Sequence, residues 1–83
     1  MGTNKMYKVE RLSTEDRNSE VVFIGRIRDA KKCLATLKNE YETRGFKALN
    51  TGFSLLIYKR EKVQVRWIYT ISENEEQNNS RNR

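Results

Sequence analysis

The sequence has no histidine, no proline and only one cysteine among its 83 residues. Each shortage removes a class of function. Without histidine the chain lacks the commonest general base at neutral pH and every His-containing zinc site. One cysteine, Cys33, can form neither an intramolecular disulfide nor a thiolate metal site. The fold therefore needs no oxidising compartment, and a cytoplasmic location is expected. Without proline, turns must rely on Gly, Asn and Ser. No apolar run approaches the roughly 20 residues of a membrane span. Met1–Met6 has no apolar h-region, so no secretory signal is expected. Neither a glycine-rich phosphate loop nor a dinucleotide fingerprint is present. No catalytic residue, metal ligand or cofactor is assigned, and a non-enzymatic protein is expected.

What is present is polar and basic. Hydrophobic residues make up 36% and charged residues 34%, and 17 Lys+Arg outweigh 11 Asp+Glu for a net charge of +6. Such an excess suits an acidic partner, whether nucleic acid, an acidic protein face or an anionic surface, and it also serves plain solubility. The segment 72–83 holds two arginines and three glutamates, so the positive excess belongs to residues 1–71. At this length one domain with a small core is expected. Shallow surface recognition is the cheaper use of such a scaffold than a deep cleft.

Periodicity predicts an α+β domain of ββαββ order over residues 6–71, an antiparallel sheet of two hairpins with one helix packed on one face. Residues 1–5 and the polar stretch 72–83 are expected to be disordered. The first strand spans Met6–Leu12, with Tyr7, Val9 and Arg11 facing one way and Lys8 and Glu10 the other. A polar loop, 13–19, connects it to a second strand over Glu20–Ile27. There Val21, Phe23 and Ile27 should share a face, with Gly25 marking a bulge or a close approach by the following helix. The helix is expected over Asp29–Arg44, N-capped by Asp29. Ala30, Cys33, Leu34, Leu37 and Tyr41 form its apolar stripe. Gly45 suits the left-handed C′ position, with Phe46 folding back on Tyr41. Two more strands are expected, Leu49–Lys59 and Val63–Ile71, joined by the turn Arg60-Glu61-Lys62. The last has the cleanest alternation, with Val65, Trp67, Tyr69 and Ile71 directed toward the helix.

Cys33 lies on the apolar stripe and reads as a small buried hydrophobe rather than a nucleophile. Glu15, Asp16 and Glu20 sit in or beside the first loop, Glu73, Glu75 and Glu76 in the polar end; both groups read as solvated charge. The candidate working surface is the second hairpin: Tyr58, Lys59, Arg60, Lys62 and Arg66. With Trp67 under the helix, Arg66, Gln64, Ile68 and Thr70 would lie on the open sheet face beside Leu56 and Tyr58. An open sheet with a tyrosine for stacking and arginines for phosphate suits single-stranded RNA or DNA. The same residues equally describe an ordinary solvated face on which Tyr58 covers the stems of its charged neighbours. Lys31, Lys32 and Lys38 form a secondary basic group on the helix, read either as a phosphate contact or as a solubilising face. A rival surface is apolar: Val22, Ile24, Leu56, Ile68 and Tyr58 with an arginine rim would suit a protein partner or a homodimer. An exposed sheet edge is a second route to a homodimer.

The layout resembles the small accessory proteins that phages use against host machinery, including some anti-CRISPR proteins. The similar features are the opening strand Met6-Tyr7-Lys8-Val9, the polar hairpin loop, and Arg28-Asp29-Ala30-Lys31-Lys32 leading into a short helix. The aromatic-basic hairpin from Leu56-Ile57-Tyr58-Lys59-Arg60 to Arg66-Trp67-Ile68-Tyr69 completes them. The resemblance implies a modulator or inhibitor that docks by surface complementarity on a host protein or nucleoprotein complex. It carries over no individual binding residue.

Overall fold

A computed structural model describes residues 5–59 and 64–74. These residues form an α+β fold, with five strands and one helix among them in the order β1 (Tyr7–Ser13), β2 (Ser19–Gly25), α1 (Ile27–Thr43), β3 (Lys47–Asn50), β4 (Ser54–Tyr58) and β5 (Val65–Glu73). The strands form one sheet in the order β2-β1-β5-β4-β3, and every neighbouring pair is antiparallel. The expected ββαββ order is thus corrected to ββαβββ.

The extra strand arises where one long strand was expected over Leu49–Lys59. Asn50, Thr51 and Gly52 break it. The Asn50 side chain accepts the Gly52 N–H at 2.8 Å, and Gly52 takes a φ of 103°, which L-residues rarely adopt. The chain reverses there, so β3 and β4 form a hairpin of their own. β5 then pairs with both β4 and β1, joining the two hairpins at the centre of the sheet. It also runs two residues past its expected end at Ile71. The Asn74 N–H donates to the Met6 carbonyl at 3.0 Å, and Asn74 is buried. Residues 75–83 of the expected polar tail lie outside the described residues.

The helix begins at Ile27, not Asp29. Arg26 occupies the N-cap without a side-chain cap, and Asp29 lies in the first turn, where its charge still suits the helix dipole. The other end follows the expectation from Gly45. The Gly45 N–H donates to the Glu42 carbonyl and the Phe46 N–H to the Tyr41 carbonyl, each at 3.0 Å, with Gly45 at φ 95°. This pair of bonds is a Schellman ending, and the Phe46 and Tyr41 rings meet edge-on at 5.6 Å.

The core lies between α1 and one sheet face. Ala30, Leu34 and Tyr41 from the helix are buried with Val9, Leu55, Ile57, Tyr69 and Ile71 from β1, β4 and β5. Cys33, Leu37 and Trp67 are half-buried and pack against this cluster. Gly25 serves neither a bulge nor the helix. A Cβ there would come within 2.7 Å of the Phe23 ring, so the glycine makes room for that ring on the core side.

Candidate functional site

Two bulges decide what the uncovered sheet face carries. Between β1 and β2, Val9 pairs with Phe23 but Glu10 pairs with Val21, leaving Val22 as an extra residue. Phe23 therefore faces the core, while Val21 moves to the opposite face with Glu10; the expected common face for Val21 and Phe23 does not form. Between β4 and β5, Ile57 pairs with Trp67 but Tyr58 pairs with Val65, leaving Arg66 as the extra residue.

The second bulge redirects Arg66. Expected on the open face, its guanidinium instead lies over the Trp67 ring at 4.4 Å. It donates to Ser13 Oγ at 2.8 Å, and its Nη2 stands 3.4 Å from Glu15. Lys59 reaches the same carboxylate at 2.7 Å. Thr14 fixes the loop to the start of β5: its N–H donates to the Arg66 carbonyl at 3.0 Å and its hydroxyl to the Val65 carbonyl at 2.7 Å. Glu15 is therefore not idle charge: one carboxylate engages two of the five candidate site residues. Arg60 and Lys62 lie outside the described residues. Tyr58 remains on the open face, half-buried.

The bond from Lys59, and then the charge of Arg66, hold the Glu15 carboxyl below the usual glutamate range. Its folded pKa is depressed, so the favourable contribution is complete above the unfolded value and disappears as pH falls through the folded one. An NMR carboxylate titration is expected to place Glu15 below an unpaired glutamate, and Lys59→Ala to move it back up. An unmoved midpoint would show that the ion pair does not form in solution.

The helix cations also have local partners. Lys31 Nζ stands 4.5 Å over the Phe53 ring, and Lys38 bonds Glu42 one turn on at 2.8 Å. Lys32 is exposed. A phosphate at this face would have to compete with the first two contacts.

A concavity of about 270 Å³ opens beside Trp67, walled by Arg11, Ser13, Asp16, Glu20 and Arg66 among others. Its polar groups are joined to one another: Arg11 bonds Glu20 at 2.6 Å and Arg66 bonds Ser13. A ligand entering it would have to break those pairs. Burial pushes the Cys33 thiol pKa up, which disfavours the reactive thiolate. Among the described residues no helix is long and apolar enough to cross a membrane.

The open face is more apolar than the sequence suggested. The cross-strand register runs Leu49–Leu56–Ile68–Leu12 in one line across β3, β4, β5 and β1. Tyr58 and Val65 lie to one side of the line; at the β2 edge the line meets Ser19, and Val21 and Ile24 lie on the same face to the other side, opposite Glu10 and Lys8. Leu49 is 50% exposed, Ile24 49%, Val21 45% and Leu12 37%. No described element covers this face. Leu12 and Leu49 had gone unnoticed, although Leu12 continues the Lys8, Glu10 alternation that pointed to it. The charges here are few. Lys8 and Glu10 stand 3.8 Å apart, and Lys47 sits at the corner beside Tyr58.

No protein-family model matches this chain, and neither the curated proteins nor the solved structures contain a significant match to it.

Proposed function

We propose that this protein is a non-enzymatic binding module that docks on another protein through its open sheet face. It would act as phage- or mobile-element-type modulators do, by occupying a surface of a host protein or nucleoprotein complex. The observation that carries this reading is the line Leu49–Leu56–Ile68–Leu12, which crosses four strands with no described element above it. An apolar centre with sparse charge is the anatomy of a protein interface. A nucleic-acid platform needs cations aimed at phosphates from the same face as the stacking ring. Here Arg66 and Lys59 both engage Glu15, and Arg66 is turned to the opposite side from Tyr58.

The test pairs two measurements. A photo-reactive amino acid at position 68 is expected to form protein adducts that the same probe at position 32, on the helix, does not form. Fluorescence anisotropy with labelled single- and double-stranded DNA and RNA is expected to show only weak binding. Tight binding with a steep salt dependence would make nucleic acid the direct ligand and overturn the reading. Adducts from position 32 alone would overturn it too.

A further inference from the structure

We infer that the open sheet face closes on a second copy of this chain, giving a homodimer of four layers, helix–sheet–sheet–helix. The inference rests on the reading of the open face as a protein-docking surface, and it puts a second copy, in place of a host protein, on that face.

The first argument is elimination within the chain. Residues 1–4, 60–63 and 75–83 contribute only two large apolar side chains, Met1 and Val63. By composition these segments have little to set against a line of leucine and isoleucine across four strands.

The second argument is area. Five strands about 4.8 Å apart, each spanning roughly 20 Å, present on the order of 500 Å² of flat face per copy. Two copies together bury about 1,000 Å², about the least area that a specific interface needs. Two such faces stack about 10 Å apart, with side chains from each filling the space between.

The third argument is charge. Two chains of +6 repel one another unless their charges are kept apart. Among the described residues of the open face Lys8 and Glu10 offset each other, leaving Lys47 at a corner. Arg28, Lys31, Lys32 and Lys38 belong to the helix, on the other side of the sheet. In the four-layer arrangement the two helices lie on opposite outer surfaces, roughly 30 Å apart. That is several Debye lengths at physiological salt, so their repulsion is screened. Packing through the helix layer would bring those same charges together. The interface is isologous, as a two-fold dimer requires, because each copy offers the same line of residues.

The test is sedimentation velocity with light scattering on the full chain, up to about 100 µM, where a self-association of that Kd is well populated. The expected mass is twice 9.9 kDa. Ile68→Lys should bring it to the single-chain value, and Leu49→Lys, at a position already half exposed, should weaken association about tenfold or more without perturbing the fold. Lys32→Glu should leave the dimer intact. Wild-type protein that stays monomeric overturns the inference. So does a dimer that survives both face variants, or one lost only when the β2 edge is blocked by Val22→Pro. A monomer that still forms protein adducts from position 68 overturns the dimer and leaves the docking reading standing.

Discussion

Leu34→Ala is expected to lower the stability of this protein by about 2–5 kcal/mol. Leu34 is fully buried, and with Leu55, Ile57 and Val9 it is among the largest side chains with no exposure. It sits in the middle of α1, so the helix ends at Arg26 and Arg44 cannot collapse inward to fill the space. Domains of this size hold only about 0.05–0.15 kcal/mol per residue, some 4–12 kcal/mol in total. The substitution thus removes a large part of what holds the fold. Urea unfolding followed by circular dichroism measures it. A loss under about 1 kcal/mol would mean that the helix does not seat on the sheet as described.

The second large effect concerns two phenols. Tyr41 Oη and Tyr69 Oη stand 2.7 Å apart, both residues buried, one on the helix and one on the central strand. Tyr69→Phe leaves the Tyr41 hydroxyl without that partner and is expected to cost about 1–3 kcal/mol. The double variant Tyr41→Phe, Tyr69→Phe is expected to recover part of this, because neither polar group then remains buried. Simple additivity of the two single losses would show that the hydroxyls do not bond.

The same pair carries a pH dependence. Burial, and then the bond to Tyr41, push the Tyr69 pKa well above its ordinary value near 10. Below that value both the folded and unfolded chains keep the proton, and stability is unaffected. Above it the unfolded chain loses the proton while the folded chain keeps it, so stability falls by up to about 1.4 kcal/mol per pH unit from this residue. Alkaline unfolding of Tyr69→Phe should therefore be shallower than that of the wild type. Equal slopes would show that Tyr69 does not govern it.

The two ends of the helix show how far the sequence can be read. The Gly45–Phe46 ending was legible because one glycine and one aromatic, at fixed offsets from Tyr41, determine it locally. The start was not. Asp29 suits both an N-cap and a first turn, and the choice went with Ile27, which packs against the core and extends the helix upstream. The alternation of β5 was equally plain. The break at Asn50-Thr51-Gly52 was signalled by ordinary turn residues but overridden by the apolar run that follows them.

The candidate site was harder because its faces depend on pairing. Alternation along one strand cannot reveal an extra residue that exists only relative to a neighbour. Val22 and Arg66 are such residues, and each changes which side chains share a face. The bond network of Glu15 depends likewise on where the loop after β1 meets β5. Ile24, Leu56 and Ile68 were recognised as candidates for an apolar surface. Their alignment with Leu49 and Leu12 came only with the strand order.

That strand order governs how the protein can be made. β1 leaves the ribosome first and β5 last among these elements, yet they are neighbours at the heart of the sheet. During synthesis the β1–β2 hairpin and the α1–β3–β4 segment emerge as two pieces with no strand pairing between them. The helix touches strands of both pieces, but the sheet is not continuous until β5 arrives to bridge them. Contacts between residues this distant in sequence slow folding relative to helical bundles. Until β5 pairs with them, the inner edges of β1 and β4 stay open, and an incomplete chain would carry unpaired strand edges of the kind that invite aggregation.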